Sequence, residues 1–365
     1  MDVRAQLWRF TGSGWRLEHP ELPADEVTWV DALQSAPTLT LRLDNERPAM
    51  PSIIPWLHAI AVEVAGTLQA FAVVTDRDSA DQALTVNAVG LTGYLKGMPW
   101  TRGPVRRYEQ DPAGLIRLIW RDVQNEPGGN IGVVVDGTST SVRVGKRVTE
   151  VVDQAGTVVT PEQDDPFILD RTETHDLASE VDRLMTEGGL EWREQVSWDA
   201  DHRPVVRLRM APRLGRRRLD VRCVVGVNLD EVPAVEEEPD DYASHVLLIG
   251  AGEGPTRIVA TASLPRLERI RRVHVEQAQD LYRQQAADAE ASRVLSFLQP
   301  QQGRVKTLSV RDHPSCPVWE LAPGDELQLV GDLGQAKQAA RWVRIVAIES
   351  SATTPHVRSL EVETL

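Results

Sequence analysis

Short runs in which apolar residues take every second position, cut by glycine, proline, aspartate and asparagine, leave a chain like this few folds other than a β-barrel or sandwich. The pattern governs the first hundred residues. Residues 6–10 (QLWRF) and 15–17 flank Gly12-Ser-Gly14 as a hairpin, and residues 38–43 (TLTLRL) alternate up to the turn at Asp44-Asn45. Residues 60–64, 68–74 and 83–89 continue the meander, with Gly66 as a turn, while proline makes loops of 35–37 and 51–55.

From about Pro104 the period changes. Asp111-Pro112 is an N-cap followed by a first-turn proline, and Leu115, Ile116, Leu118, Ile119 and Val123 form one apolar face that stops at Glu126-Pro-Gly-Gly129. A second helix is predicted from Asp176 to about Glu187, with Leu177, Val181, Leu184 and Met185 inward and Gly188-Gly189 as its stop. A hairpin follows, with residues 190–198 and 205–210 alternating about a turn at 199–204. Residues 276–298, rich in Ala, Gln, Arg and Glu and closed by Pro300, are predicted as the longest helix. Four runs (304–310, 326–330, 341–348 and 357–362) then read as strands of a second small barrel.

A chain of 365 residues is long for one core. The expected fold class is mainly β with an α+β insertion: two β-barrel domains plus a mixed α/β middle region. The boundaries are 1–103 for the first barrel, 104–189 with 224–298 for the middle domain, and 190–223 with 299–365 for the second barrel. With 41% hydrophobic and 26% charged residues the chain is a folded protein rather than a disordered one. Its N-terminus lacks the apolar core of a signal peptide and no run is long enough to cross a bilayer, so the expectation is folding in a cytoplasm without direct membrane insertion.

The charge balance argues against tight nucleic-acid binding. Forty Lys and Arg stand against 54 Asp and Glu, for a net charge of −14, the opposite of what neutralising phosphates requires. Only four of the basic residues are lysines (Lys96, Lys146, Lys306, Lys337), an imbalance that points to a GC-rich bacterial source. The arginine clusters, Arg213 with Arg216–Arg218 and Arg266 with Arg269, Arg271 and Arg272, have acids among them and are expected to be paired.

None of the candidate chemical motifs meets its requirements. Gly250-Ala-Gly-Glu-Gly254 follows an apolar run, but Pro255 and a β-like segment come next where a phosphate loop would open a helix, so a glycine-permitted turn is expected. The acidic run 236–241 lacks the alternating spacing of a calcium loop. Eight scattered histidines fall in no ligand pattern, and Cys223 and Cys316, 93 positions apart, are expected to be reduced, buried thiols. His313-Pro-Ser315-Cys316 places a hydroxyl and a thiol near a histidine, but neighbours on one turn do not by themselves make base and nucleophile geometry. No catalytic, metal or cofactor residue is assigned. The ten tryptophans (Trp8, Trp15, Trp29, Trp56, Trp100, Trp120, Trp192, Trp198, Trp319, Trp342) read mostly as core anchors, with some available for subunit contacts.

The order of parts carries more than any motif. Residues 26–33 (EVTWVDAL) leading to 39–43, the barrel end at 86–91 (VNAVGL), the stretch from Asn228 through 244–254, the helix 276–298 and the turn Pro323-Gly-Asp325 together resemble the tail hub family of siphophages, the minor tail proteins of the tail tip. The resemblance covers nearly the whole chain and implies a virion structural protein similar to the central hub of contractile-phage baseplates. It implies a homotrimer whose two tube-like barrels per subunit adapt a sixfold tail tube to a threefold tip. Its implied partners are further copies of itself, a distal tail protein, the tape measure protein and a tail fibre or other tip protein, with DNA only as cargo passing through the lumen. Assembly would take place in the host cytoplasm. The chain stops at Leu365, directly after its last strand, so a hub without a fused hydrolase is expected. Part of the acidic excess is expected to face the channel, where it would repel phosphates over a Debye length of about 8 Å. The alternatives are a distal tail protein or other minor tail adaptor, which would be hexameric, and a cell-wall-degrading enzyme.

Overall fold

The computed structural model describes every residue except 1, 45–50, 81–82, 147–150, 153–157, 160–164, 230, 234, 237–241, 253, 255–256, 265–269, 279–283, 299–303 and 334–335. The chain divides into two compact units, one of residues 1–232, 307–363 and 365, the other of residues 233–306 and 364. It is mainly β, and most of its strand pairs are antiparallel.

In the larger unit the alternating N-terminal runs become β1 (Val3–Phe10), β2 (Trp15–His19), β3 (Ala24–Ala32), β4 (Thr38–Asp44), β5 (His58–Val64), β6 (Thr67–Ala80) and β7 (Ala83–Gly90). The helical segment supplies α1 (Pro112–Gln124), the short β8 (Val133–Val135) and α2 (Leu177–Glu187). The hairpin β9 (Glu191–Trp198) and β10 (Pro204–Ala211) follows, then β11 (Arg217–Val224). Both helix starts are capped as the local sequence requires: Asp111 accepts from the Ala113 amide and Asp176 from the Ala178 amide, each at 3.1 Å.

The smaller unit contains β12 (His245–Ile249), β13 (Val259–Ser263), β14 (Val273–Gln277) and α3 (Gln284–Phe297). The predicted helix over 276–298 therefore begins too early. Glu276 and Gln277 belong to β14, which pairs in parallel with β12 from His245↔Val273 to Ile249↔Gln277. A strand partner overrides the helical propensity of those two residues. Back in the larger unit, the chain closes with β15 (Thr307–Arg311), β16 (Glu326–Leu333), β17 (Ala336–Ser351) and β18 (Val357–Thr364).

One twelve-stranded sheet joins the two ends of the sequence. Its order is β11-β16-β17-β3-β4-β7-β6-β5-β1-β2, with β18 also paired to β17, and β15 to β18. The sixteen-residue β17 makes the join, because Arg341 to Arg344 lie against β16 while Ala347 to Ser351 pair with β3, from Ala32 to Thr28.

Two cores sandwich the N-terminal strands. Leu7, Val27, Trp29, Leu39, Leu41, Ile60, Val62 and Val86 fill one. On the opposite face Trp8, Ala59, Ala61 and Phe71 pack with α1, α2, β9 and β10 through Ile116, Ile119, Trp120, Leu184, Trp192 and Leu208. Every residue of β5 is buried, which is why HAIAVEV carries almost no polar alternation.

Candidate functional site

Three arrangements in the larger unit gather polar or reactive groups away from solvent. The first lies where β3, β9 and the turn after β7 meet. Glu194 on β9 is buried, and its Oε2 accepts the Thr92 amide and hydroxyl at 2.8 Å each, while its Oε1 is sealed without a partner. Gly90 leaves the space for it, since a Cβ there would stand 2.8 Å from both carboxylate oxygens and 2.7 Å from Pro37 Cδ. Burial pushes Glu194 up to about 7, with Asp31 adding repulsion, and burial raises Asp31 to about 6 against the pull of Arg193 and Arg358. Arg358 lies over the Trp319 ring at 3.9 Å and donates to the Val318 carbonyl and Gln69. Burial lowers it to about 10. These groups form a polar joint inside the packing, arranged to hold elements together.

The second is a crossing of two loops. Leu214-Gly215, between β10 and β11, passes against Gly324-Asp325 at the start of β16, with the Arg216 amide on Asp325 Oδ1 and the Glu326 amide on the Arg216 carbonyl, both at 3.0 Å. Arg344 on β17 reaches both loops through the Leu214 and Gly324 carbonyls and pairs with Glu191 on β9. The third is the thiol pair, Cys223 on β11 and Cys316 beyond β15, with Sγ atoms 3.9 Å apart and no solvent exposure at either.

A cavity of about 680 Å³ opens beside the first arrangement, lined by Ser35, Thr38, Thr92, Lys96, Trp120 and Asp182 among others. It falls in the size range of small-molecule sites, and the Ser179 hydroxyl in its lining donates at 2.8 Å to Asp176, the carboxylate that caps α2.

In the smaller unit, α3 covers one face of the β13-β12-β14 sheet through Ala287, Ala291 and Leu295 against Val246, Leu248 and Ala260. The other face is open. Val259, Val273 and Val275 are exposed there (the last two at 45% and 51%), with Leu247 and Ile249 half-buried between them.

No protein-family model matches the sequence, and no curated protein matches it. Solved structures do match in fold. The 43 kDa tail protein of prophage MuSo2 from Shewanella oneidensis superimposes with a TM-score of 0.61 at 12% identity, over 99% of this chain and 98% of that one. A tail protein from Neisseria meningitidis gives 0.59 at 11% identity, over 100% and 97% of the two chains. A prophage tail protein from Listeria monocytogenes gives 0.56 at 11% identity, over 99% and 94%.

The chain has the fold of phage tail proteins.

Within this tail-protein fold, the motifs noted in the sequence take structural places. Gly250, Gly252 and Gly254 lie in the connection between the antiparallel β12 and β13, with Gly252 and Gly254 at positive φ, and β13 is the next strand after them. Glu236 sits in a two-residue strand paired with Arg304, while the rest of the acidic run, at 237–241, lies outside the described residues. His313 Nδ1 accepts the Ser315 amide at 3.1 Å and meets its hydroxyl at 2.8 Å, so it caps its own turn. Among the described residues no three His, Cys, Asp or Glu side chains gather as a metal site, and no helix is long and apolar enough to cross a membrane.

Three of the four arginines of the first cluster are paired. Arg213 and Arg217 share Glu326 at 2.8 and 2.7 Å, and the buried Arg218 meets Asp220, Glu320 and Asp325. Of the second cluster, Arg266 and Arg269 lie outside the described residues. Trp8, Trp29, Trp100, Trp120 and Trp192 are core anchors, whereas Trp56, at 55% exposure and positive φ, is not.

The crossing of residues 214–215 with 324–325 and the approach of Cys223 to Cys316 join positions about a hundred residues apart in sequence. Gly215 inside an arginine run and Gly324 in a Pro-Gly-Asp turn are the only local signs of the crossing.

Proposed function

We propose that this chain is a structural hub protein of a siphophage-type tail tip, assembling as a homotrimer that adapts a sixfold tube to a threefold tip and encloses the channel for tape measure and DNA. The observation that carries the reading is the fold match to tail proteins over almost the full length of both partners. The joining of N- and C-terminal strands in one sheet through β17 supports it, because a wall built from both ends of the chain suits a load-bearing ring. Binding and packing, rather than bond-making, are the proposed activity. The partners are neighbouring copies, a distal tail protein, the tape measure protein and a fibre or other tip protein, and the place of action is the virion tail tip. Part of the −14 charge is assigned to the lumen, where an arginine-lined channel would contradict it.

The test is the stoichiometry of the particle. Light scattering of the purified chain is expected to return three times its 40.5 kDa mass, and a reconstruction of the tail tip three copies around the tube axis. Six copies in one ring would make it a distal tail protein instead, and absence from the particle would reopen the enzyme alternative.

Within this reading the open apolar face of the β13-β12-β14 sheet receives a neighbouring copy of the chain. A protein of this net charge gains nothing from leaving a contiguous apolar patch in water unless another surface covers it. Val273→Asp combined with Val275→Asp is expected to weaken self-association by about tenfold or more while changing subunit stability little, since both side chains are already in water. Sedimentation at several concentrations with circular dichroism measures both, and an unchanged oligomer would remove this face from the subunit contact.

A further inference from the structure

We propose that Cys223 and Cys316 are a modification site, a pair of buried thiols that a small peroxide converts to a disulfide. The site does not depend on the tail-hub reading, since it stands on distances within one subunit. The two Sγ atoms are 3.9 Å apart, so bond formation requires them to close by roughly 2 Å. The backbones are already in register beside them. The Arg222 amide donates to the Ser315 carbonyl at 3.0 Å, and Asn228 Nδ2 ties the Arg222 carbonyl at 2.8 Å to the Ser315 hydroxyl at 3.3 Å. The turn that carries both Ser315 and Cys316 is itself closed by backbone hydrogen bonds between His313 and Cys316 in both directions. Side-chain rotation, rather than backbone movement, therefore has to supply most of the approach.

The surroundings divide the labour between the two sulfurs. The hydrogen bond with Cys223 favours the Cys316 thiolate against the opposing pull of burial and of the Asp312 carboxylate, with the Arg218 guanidinium adding to it, while the same hydrogen bond and burial keep Cys223 protonated. Cys316 is accordingly the attacking thiol. Its thiolate displaces hydroxide from hydrogen peroxide, breaking the O–O bond and forming a sulfenic acid, and the hydroxide takes up the proton that Cys316 released to become water. Cys223 Sγ then attacks the sulfenic sulfur, the S–O bond breaks, and the departing hydroxyl leaves as water with the Cys223 proton. One peroxide and two thiols give one disulfide and two waters. Full burial favours a peroxide over a bulky disulfide such as oxidised glutathione, and it makes the reaction slow, since it waits on local opening of the core.

The position gives the bond a mechanical consequence. The chain leaves the larger unit after Val232 and returns at Thr307, so Cys223 lies nine residues before the exit and Cys316 nine after the return. A disulfide here closes the base of the whole excursion that forms the smaller unit. In the proposed virion, departure from a reducing cytoplasm would supply the change of surroundings.

The experiment uses the full-length chain, reduced and freed of reductant, then incubated natively with hydrogen peroxide. The expected result is an intact mass lower by two hydrogens, loss of both titratable thiols after unfolding, and one cross-linked peptide pair containing Cys223 and Cys316. Reductant reverses all three, and the melting temperature of the oxidised form is expected to be higher by roughly 5–10 °C. Cys223→Ala is expected to leave Cys316 as a sulfenic acid trapped by dimedone, whereas Cys316→Ala leaves Cys223 unmodified. The peptide map of the unaltered chain decides the matter even if either variant folds poorly. Persistence of both thiols at a dose that oxidises the unfolded chain, over-oxidation of either cysteine without cross-linking, or disulfides only between chains would each overturn the proposal. None of these outcomes bears on the number of copies in a tail.

Discussion

Gly215→Ala is expected to destabilise the larger unit by more than about 3 kcal/mol, lowering the urea midpoint far more than a surface glycine substitution does. At φ +80 a new Cβ on residue 215 would stand 2.5 Å from the Asp325 amide nitrogen and closer still to the Gly324 carbonyl carbon and oxygen. Gly324, at φ +98, is the reciprocal case, with its Cβ position 2.7 Å from the Leu214 carbonyl oxygen. Backbone faces backbone on both sides, so no flexible side chain can yield. The parallel pairing of β11 with β16 starts directly beyond the crossing, at Arg217↔Glu326, and Arg344 is bonded to both loops, so separating them disturbs the ladder and the buried cation together. Gly66→Ala is the control, because that glycine has a similar φ of +84 but nothing within 4 Å of the added carbon. It should show only the cost of the left-handed conformation, on the order of 1 kcal/mol. Equal losses in the two variants would show that close approach at the crossing contributes nothing.

Glu194→Gln is expected to remove a pH dependence of stability worth about 3 kcal/mol between pH 4.5 and 7. Glu194 is held at about 7 in the folded chain against an ordinary 4.5, so the folded state binds the proton more tightly than the unfolded one. Its contribution is fully present below about pH 4.5 and is lost as the pH rises through 7. Asp31, raised to about 6, acts in the same direction over a lower window. Acids with lowered values, among them Glu191 beside Arg344 and Glu326 beside Arg217, act oppositely and lose their contribution as the pH falls through the folded value. The informative quantity is thus the difference between variant and parent. Gln keeps an oxygen for Thr92 and carries no charge, so the variant should gain on the parent from pH 5 to pH 8. Urea unfolding at both values measures this, and parallel curves for the two proteins would rule out Glu194 as the titrating group.

The local parts of the architecture were legible in the residues. Asp111-Pro112 and Asp176 start helices because a cap acts within one turn, and both helices stand at the predicted places. Gly250, Gly252 and Gly254 were readable as part of a connection because a β-like run, which becomes β13, follows them. The start of the third helix was misread for the converse reason: Glu276 and Gln277 have helical propensity but pair with Leu248 and Ile249, a contact about 28 residues away that propensity does not register.

The buried polar joint, the loop crossing and the thiol pair were not legible. Glu194 lies on the same face of the alternating hairpin as Trp192 and Val196, but its partner in the turn at Thr92 is 102 residues away, and the two cysteines look unrelated at 93 positions apart. The sequence by itself determined a mainly β chain, two capped helices, paired arginines and the absence of any recognisable catalytic motif, because periodicity, caps and charge order act over a few residues. Only the tertiary structure decided that β17 stitches the last strands onto the first, that Gly215 and Gly324 touch, and that Cys223 meets Cys316. Those contacts come from burying distant apolar faces together, and no short-range rule records which faces will meet.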